Sequence, residues 1–305
     1  MDGGQSSTTA VIGDGEGRVV GWGSAGSCNH VSAGEARAKF LRVIGECIAE
    51  AAARAGLASP RDGHWHFSAA CMGMSGGLDD KAALLAELID SPELMVTHDA
   101  MIALAGATAG EPGIVVIAGT GSMAFGRNAA GETARAGGWG YIFGDEGGAF
   151  DIVRQAVRAA LREHEGWGPR TALTPALVAA TGAAEPNQML HLFYTPEWPR
   201  SRVAGLAPLI SRIAEEGDVV AQEILHNSAQ HLASLVSSVR RQLWNETDSL
   251  LVSWTGGVFS SLLLAQKFRD LLQEDGQITC MEPRHSAAIG ALLLAWRTGK
   301  VVPVL

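Results

Sequence analysis

The 305-residue sequence has few cysteines, few basic residues and no long apolar run. Its four cysteines (Cys28, Cys47, Cys71 and Cys280) include no CxxC pair, so the sequence indicates neither a disulfide framework nor a zinc ribbon. A reduced, cytoplasmic setting is therefore predicted. Lysine and arginine number 23 against 32 acidic residues, giving a formal net charge of −9, and no basic cluster occurs. This balance argues against a nucleic-acid partner.

The apolar runs are too short for a membrane protein. Segments such as 289–296 fall far below the roughly 20 residues that a membrane helix needs. The first residues are polar and rich in glycine, unlike a secretory signal. We expect no membrane partner, and the chain is long enough for two lobes that each have a core.

The apolar pattern predicts an α/β protein with two similar halves. Strands are expected at 8–14, 17–23, 66–72, 94–98, 113–118, 122–127, 132–136, 249–254 and 277–281, and helices at 33–55, 79–90, 99–109, 147–164, 218–245, 259–274 and 285–297. Each half therefore contains a hairpin followed by alternating helices and strands, which implies a mixed sheet covered on both faces. We expect one lobe at 1–110, with 285–305 packing back on it. The other lobe is expected at 111–284, with a helical insertion at about 172–215 and a ligand cleft between the lobes.

Two glycine turns occupy matching places in the two halves, 2-DGGQSS-7 and 119-GTGS-122. Each could be a plain hairpin turn. Glycine also lets main-chain N–H groups approach an anion closely, and hydroxyl groups add further donors. Because two such turns recur in a duplicated pattern, the sequence favours a cradle for the phosphates of a nucleotide.

Asp99 in 97-THDAM-101 follows a predicted strand and opens a predicted helix. A simple reading makes it a helix N-cap. The alternative is a carboxylate that accepts a hydroxyl proton during phosphoryl transfer, for which an ordinary aspartate suffices. Its expected position near the 119–122 turn favours the general base.

Two further glycine-rich segments suggest ligand contacts. The segment 137-GGWGYIFGDEGGAF-150 combines glycines, aromatic residues and two acids, which is typical of a platform that binds sugar hydroxyls through Asp145 or Glu146. The acids alone could also mark the start of a helix. The segment 255-TGGVFSS-261 would allow a flat ring or a phosphate to approach the backbone at a helix start.

These motifs, together with SCNH at 27–30 and 282-EPRHSAAIGALLLA-295, resemble the N-acetylglucosamine kinase branch of the BadF/BadG/BcrA/BcrD ATPase family, within the sugar kinase and actin superfamily. The resemblance covers nearly the whole chain, and GGWG…GDEGG is its most specific element. It implies two actin-like, ribonuclease-H-type lobes, each with a mixed five-stranded sheet flanked by helices. It also implies phosphorylation of N-acetylglucosamine at the 6-hydroxyl, with ATP and Mg²⁺, by a homodimer.

The resemblance also implies roles for individual residues. Asp99 would be the catalytic base, and Asp2 would hold Mg²⁺ through water. The sugar would contact Asn29, Asp99, Ser122, Gly138, Trp139, Gly140 and Asp145. The phosphates of ATP would contact Gly3, Gly4, Ser6, Gly119, Thr120 and Gly121, and the adenosine would contact Gly256, Gly257 and Ser260. On this basis, Gly121→Val should raise the Michaelis constant for ATP more than that for sugar.

The sequence departs from the family pattern near its start. Only Met1 precedes Asp2, where members carry four or five apolar residues, so either the start lies upstream or a central strand is missing. Gln5 and His98 replace the usual glycine and asparagine. Three alternatives stay open: a glucosamine kinase, an ATPase that activates an iron–sulfur dehydratase or reductase, and a non-catalytic sugar sensor.

Overall fold

The structure is a computed structural model that describes residues 1–4, 7–28, 36–74 and 78–304. The chain divides into two units. Unit 1 contains residues 1–111 and 282–305, and unit 2 contains residues 112–281. The assignment of these units as the two lobes of an ATPase stays a prediction.

Unit 1 is built on a five-stranded sheet with the strand order β3-β2-β1-β5-β7. Its elements are β1 (Asp2–Gly3), β2 (Ser7–Gly13), β3 (Val19–Gly26), α1 (Ala36–Arg54), β4 (Trp65–His66), β5 (Ala70–Met74), α2 (Asp79–Leu85), β6 (Ile89–Asp90), β7 (Leu94–His98), α3 (Asp99–Ala107) and α11 (Ala287–Thr298). β1 pairs antiparallel with β2 and parallel with β5, so the sheet is mixed.

Unit 2 repeats this arrangement with the strand order β10-β9-β8-β11-β12. Its elements are β8 (Gly113–Ala118), β9 (Ser122–Arg127), β10 (Thr133–Gly137), α4 (Ala149–His164), α5 (Leu173–Thr181), α6 (Pro186–Leu192), α7 (Arg200–Ala204), α8 (Ala207–Glu215), α9 (Val219–Leu243), β11 (Leu250–Thr255), a 3₁₀ turn (Gly257–Ser260), α10 (Leu262–Gln273) and β12 (Ile278–Cys280). β8 is antiparallel to β9 and parallel to β11.

The hydrophobic core of each unit is formed by apolar residues of the sheet and of the helices that cover it. Ile114, Val115 and Val116 of β8 are completely buried, as expected for a central strand covered on both faces. In unit 1, α11 packs closely on α3. A side chain on Gly290 would overlap the carbonyl oxygen of Ile102, so glycine is required at this helix crossing.

The predicted α/β class with two mixed five-stranded sheets is confirmed. The single strand predicted at 66–72 is wrong, because the structure divides that segment. Trp65–His66 pairs with Ile89–Asp90 in a separate small sheet, and the main-sheet strand begins at Ala70. A central strand is present as β1, although it has only two residues. None of the described helices combines the length and apolar character needed to cross a membrane.

Candidate active site

The 119–121 segment is a tight hairpin turn between β8 and β9. Ala118 pairs with Ser122, and the Gly119 N–H donates to the carbonyl of Gly121 at 3.0 Å. The turn is also tied to the start of α4, because Ala149 N–H donates to Gly119 O at 2.8 Å and Phe150 N–H to Thr120 O at 3.2 Å. This geometry is therefore compatible with both interpretations of the sequence, a plain hairpin turn and a cradle for phosphates. The carbonyls of Gly119 and Thr120 are engaged by the helix, and the N–H groups of Thr120 and Gly121 have no hydrogen-bond partner within the described ranges.

The two glycines of this turn have different surroundings. A Cβ on Gly119 would meet no atom within 4 Å, so open space lies beside this residue. A Cβ on Gly121 would lie 2.4 Å from Oδ2 of Asp145. Gly121 is therefore required by the carboxylate behind the turn. A valine here would displace Asp145, and the effect of Gly121→Val on the Michaelis constant for ATP stays a prediction.

Asp145 is a buried carboxylate in the left-handed backbone region, with φ 65° and 6% exposure. Its Oδ1 accepts from the Ser122 N–H at 3.4 Å, and its Oδ2 pairs with the guanidinium of Arg200. The carbonyl of Asp145 accepts from Gly148 N–H at 3.0 Å in the turn that precedes α4. These contacts hold the carboxylate directly against the 119–122 turn.

Arg200 is a site residue that the sequence analysis missed. It begins α7 in the helical insertion, and its guanidinium lies 5.0 Å from the ring centre of Tyr141 and 5.7 Å from that of Phe150. The two rings meet edge to face at 5.3 Å. Arg200 thus lies over two aromatic rings and also pairs with Asp145. These contacts join the helical insertion to the glycine-rich loop. No sequence motif marks Arg200, since its partner is 55 residues away.

Ser122 connects the turn to the glycine-rich loop. Its hydroxyl donates to the carbonyl of Glu146 at 2.6 Å, and its carbonyl accepts from Gly138 N–H at 2.9 Å. Ser122 is buried, and its hydroxyl is thus engaged inside the protein. Through these two hydrogen bonds Ser122 holds the glycine-rich loop, which the sequence predicts to bind sugar, against the 119–122 turn.

The loop at 137–148 presents large side chains to solvent. Trp139 is 68% exposed and Phe143 84% exposed, and Arg135 lies 5.1 Å from the ring centre of Trp139. Gly138 and Gly140 have φ values of 73° and 81°, which favour glycine. Exposed aromatic side chains on a loop that is anchored at both ends provide an apolar face for a ligand.

The same loop is anchored from α4. Asp151 accepts from Gly147 N–H at 3.0 Å and pairs with Arg154, which in turn donates to the carbonyl of Tyr141 at 3.3 Å. Asp151 and Arg154 are also residues that the sequence analysis missed, although their i,i+3 spacing on a predicted helix is a usable signal.

The 255–261 segment lies beside the 119–122 turn. Gly256 has φ 108°, and a Cβ there would lie 2.3 Å from the carbonyl oxygen of Ala118, the residue before the turn. A Cβ on Gly257 would meet nothing within 4 Å. The Ser260 hydroxyl donates to Gly257 O at 2.7 Å within the 3₁₀ turn. The predicted adenosine residues and phosphate residues of unit 2 are therefore neighbours.

In unit 1, Asp2 and Asp99 lie close enough to interact. Burial raises the pKa of Asp2, the ammonium of Met1 lowers it, and the negative charge of Asp99 raises it again. Oδ1 of Asp99 accepts from the N–H of Ala100 at 2.8 Å, while the N-cap position of α3 is His98. Asp99 is therefore the first residue of the helix, not its N-cap.

A hydrated Mg²⁺ ion binds proteins through one or two carboxylates and keeps several waters, and the assignment of Asp2 to this ion stays a prediction. Within the described ranges, no group of three or more His, Cys, Asp or Glu residues could hold a metal. Gly3 packs tightly, because a Cβ there would lie 2.3 Å from Sδ of Met74, whereas a Cβ on Gly4 would approach Ser7 O at 3.0 Å. The predicted residues Ser6 and Asn29 lie outside the described residues.

Comparison with known proteins supports the resemblance. The sequence model of the BadF/BadG/BcrA/BcrD ATPase family matches residues 1–295. The N-acetylmuramic acid/N-acetylglucosamine kinase of Clostridium acetobutylicum is 30% identical over 83% of this chain and 84% of its own. The N-acetyl-D-glucosamine kinase of Dictyostelium discoideum is 29% identical over 96% of both chains.

Solved structures agree on the fold. A provisionally assigned N-acetylglucosamine kinase from Chromobacterium violaceum has a TM-score of 0.75 and 24% identity over 96% of each chain. A ROK family glucokinase from Streptomyces griseus has a TM-score of 0.57 and 15% identity over 96% of each chain. At these identities the structures support the fold alone. From the match along residues 1–295 and the relative at 30% identity, the chain belongs to the BadF/BadG/BcrA/BcrD ATPase family.

Proposed function

We propose that the protein is an ATP-dependent amino-sugar kinase that converts N-acetylglucosamine to its 6-phosphate. The observation that supports this most is the direct attachment of the 119–122 turn to Asp145 and the aromatic loop. A turn suited to phosphate is thus linked to a loop suited to a sugar. Relatives that cover most of the chain are named as kinases of N-acetylglucosamine.

In this proposal, unit 2 binds and orients both substrates. The amides of Thr120 and Gly121 hold the terminal phosphates of ATP, and the backbone at Gly256 and Gly257 lies against the adenosine. Asp145 accepts hydrogen bonds from sugar hydroxyls, and Trp139 covers an apolar face of the ring. Preorganised amides are effective here because they need no reorientation as negative charge shifts in the transition state.

Unit 1 supplies the carboxylates. Asp99 accepts the proton of the 6-hydroxyl as that oxygen bonds to the γ-phosphorus and the bond from phosphorus to the bridging oxygen of ADP breaks. Asp2 would hold Mg²⁺ through water, and the ion would neutralise charge on the phosphates. Because phosphoryl transfer has a loose transition state, positioning and charge neutralisation contribute most of the acceleration.

The alternative of an iron–sulfur activator is less well supported. Cys28, Cys47 and Cys71 are buried, and burial raises the pKa of Cys47 to about 11 and also raises that of Cys71. Buried thiols are poorly placed to hold a cluster that two chains share.

A coupled assay of ADP release tests the proposal. The purified protein is mixed with Mg·ATP and, separately, with glucose, glucosamine, N-acetylmannosamine, N-acetylmuramic acid and N-acetylglucosamine. The largest kcat/KM is expected with N-acetylglucosamine, and phosphorus NMR of the product should show a 6-phosphate. ATP hydrolysis that is independent of sugar would favour an ATPase activator. Sugar binding without ADP release would favour a sensor, and either result would refute the proposal.

A further inference from the structure

Strand β3 lies at one edge of the unit 1 sheet and carries no protective residue of its own. It pairs with β2 on one side, and within the described ranges no strand pairs with its other side. Its sequence, VVGWGSAG, contains no proline and no charged residue. Proteins commonly use such residues to keep an exposed edge from pairing with another chain. The Trp22 side chain is 57% exposed and Ser24 is also exposed, as expected for an open edge.

Helix α1 lies directly on this strand. A Cβ on Gly21 would lie 2.2 Å from the carbonyl oxygen of Ala51, and a Cβ on Gly23 would lie 2.2 Å from that of Cys47. Because only glycine allows this approach, the backbone of α1 is close enough for its side chains to reach the outer side of β3. The Trp22 side chain points to the opposite face of the sheet, since side chains alternate along a strand.

Glu50 and Arg54 of α1 bind two outward-facing backbone groups of β3. The N–H of Ser24 donates to Oε2 of Glu50 at 2.7 Å, and the Arg54 guanidinium donates to the carbonyl of Trp22 at 2.9 Å. The two side chains also form an ion pair with each other at 2.7 Å. The guanidinium lies 5.0 Å from the ring centre of Trp22, so the Arg54 side chain extends round the edge of the strand.

These contacts reproduce the hydrogen bonds that one residue of a neighbouring strand would make. The carboxylate of Glu50 takes the place of a strand carbonyl, and the guanidinium of Arg54 takes the place of a strand N–H. The Glu50 side chain is 37% exposed and the Arg54 side chain 42% exposed, so the ion pair itself contributes little to the stability of the fold. Its main effect is therefore on what can approach the edge of β3.

We propose that Glu50 and Arg54 form an edge cap that keeps β3 from pairing with β3 of a second copy of the chain. A second copy is the partner that fits this edge, because two identical strands can pair antiparallel about a two-fold axis. Each copy would bring an exposed Trp22 side chain into the new interface, which adds apolar area to it. The edge cap lies in unit 1 and does not depend on the proposed function.

The test compares two double variants of α1 in the full chain. Glu50→Ala/Arg54→Ala removes the edge cap. The matched control, Arg42→Ala/Glu46→Ala, removes an ion pair at 3.2 Å with the same i,i+4 spacing on the same helix. Each double variant loses one acid and one base, so the formal net charge stays at −9 in both. Sedimentation velocity is measured over a range of protein concentrations, and hydrogen exchange of the backbone amides is measured at the lowest and the highest of them.

At the lowest concentration, the Ser24 amide should exchange about tenfold faster in Glu50→Ala/Arg54→Ala than in the original chain, because it loses a hydrogen bond to a charged acceptor. At higher concentrations this variant should associate further than the original chain does, and the amides of Val20, Trp22 and Ser24 should become protected. The control should match the original chain in both measurements. Glu50→Gln should also match it in sedimentation, since the amide oxygen of glutamine can still accept from Ser24.

Thermal unfolding separates association of the folded protein from aggregation of an unfolded one. The midpoint of Glu50→Ala/Arg54→Ala should stay within about 2 °C of the original value, as expected for a partly exposed ion pair. A much lower midpoint would show that the pair holds the fold together, and would overturn the proposal. Sedimentation equal to that of the original chain at every concentration, protection that falls outside β3, or equal association of the control would each overturn it as well.

Discussion

The pair formed by Arg200 and Asp145 allows a quantitative prediction. In Arg200→Met, the carboxylate of Asp145, which is 6% exposed, loses its cation. Breaking a buried pair costs about 3–5 kcal/mol. The Arg200 side chain is 33% exposed, so solvent reduces this loss. We expect a loss of about 2–3 kcal/mol in the free energy of unfolding, or roughly 5–10 °C in the midpoint for a unit of this size.

The nearest matched control is Arg202→Met on the same helix. Arg202 lies 4.1 Å from the ring centre of Trp198 and donates to the carbonyl of Glu197, but its side chain is exposed. Its replacement should cost less than about 1 kcal/mol.

A double-mutant cycle separates the charge from the packing. Asp145→Asn combined with Arg200→Met should be more stable than Arg200→Met alone, since the double variant leaves no unpaired buried charge. In the kinase assay, Arg200→Met should raise the Michaelis constant for sugar about tenfold and that for ATP less than threefold, with partial rescue in Arg200→Lys. Arg200→Met that matches Arg202→Met in unfolding and in both constants would refute this reasoning.

Three further variants test other parts of the account. Asp99→Asn should keep sugar binding and lose at least about 100-fold in kcat, the usual contribution of a general base. The control Asp80→Asn on α2 should have a near-normal kcat. Near-normal turnover in Asp99→Asn would exclude Asp99 as the general base. Because folding raises the pKa of Asp2, the folded state favours the protonated acid, and stability falls as pH rises through that pKa. At pH 7 without metal, Asp2→Asn should thus unfold at the same or a higher temperature than the original chain. On acidification, the original chain should lose affinity for Mg·ATP at a higher pH than it would if Asp2 had the pKa of an ordinary aspartate. A less stable Asp2→Asn variant and an affinity that does not change with pH would contradict this. Trp139→Ala should raise the Michaelis constant for sugar several-fold without affecting the unfolding temperature. Trp167 is also exposed and stacked with an arginine, and Trp167→Ala should change neither the Michaelis constant nor the unfolding temperature. Equal kinetics in the two variants would exclude Trp139 from the sugar site.

Much of the fold was predictable because strong local signals mark the strands of unit 2. The predicted strands 113–118 and 122–127 match β8 and β9 residue for residue, since an apolar run and an alternating run flank a glycine turn. The segment 66–72 was mispredicted, because local pattern does not show that residues 65–66 pair with residues 89–90. β1 was also difficult to predict, since two residues give no periodicity.

The site was predictable only where its residues are close in sequence. The glycine turn and the aromatic loop are visible as motifs, and their attachment follows once both are placed at the ends of neighbouring strands. The partner of Asp145 could not be predicted, because Arg200 lies in an insertion with no motif. The reason for Gly121 also needed the structure, since only the fold brings the Asp145 carboxylate behind the turn.

The most direct test of the central claim is a crystal structure of the protein with N-acetylglucosamine and a magnesium complex of a non-hydrolysable ATP analogue. The account predicts terminal phosphate oxygens at about 3 Å from the main-chain nitrogens of Thr120 and Gly121, with the sugar 6-hydroxyl at Asp99. Phosphates bound away from this turn, or a sugar whose 6-hydroxyl lies far from Asp99, would contradict it.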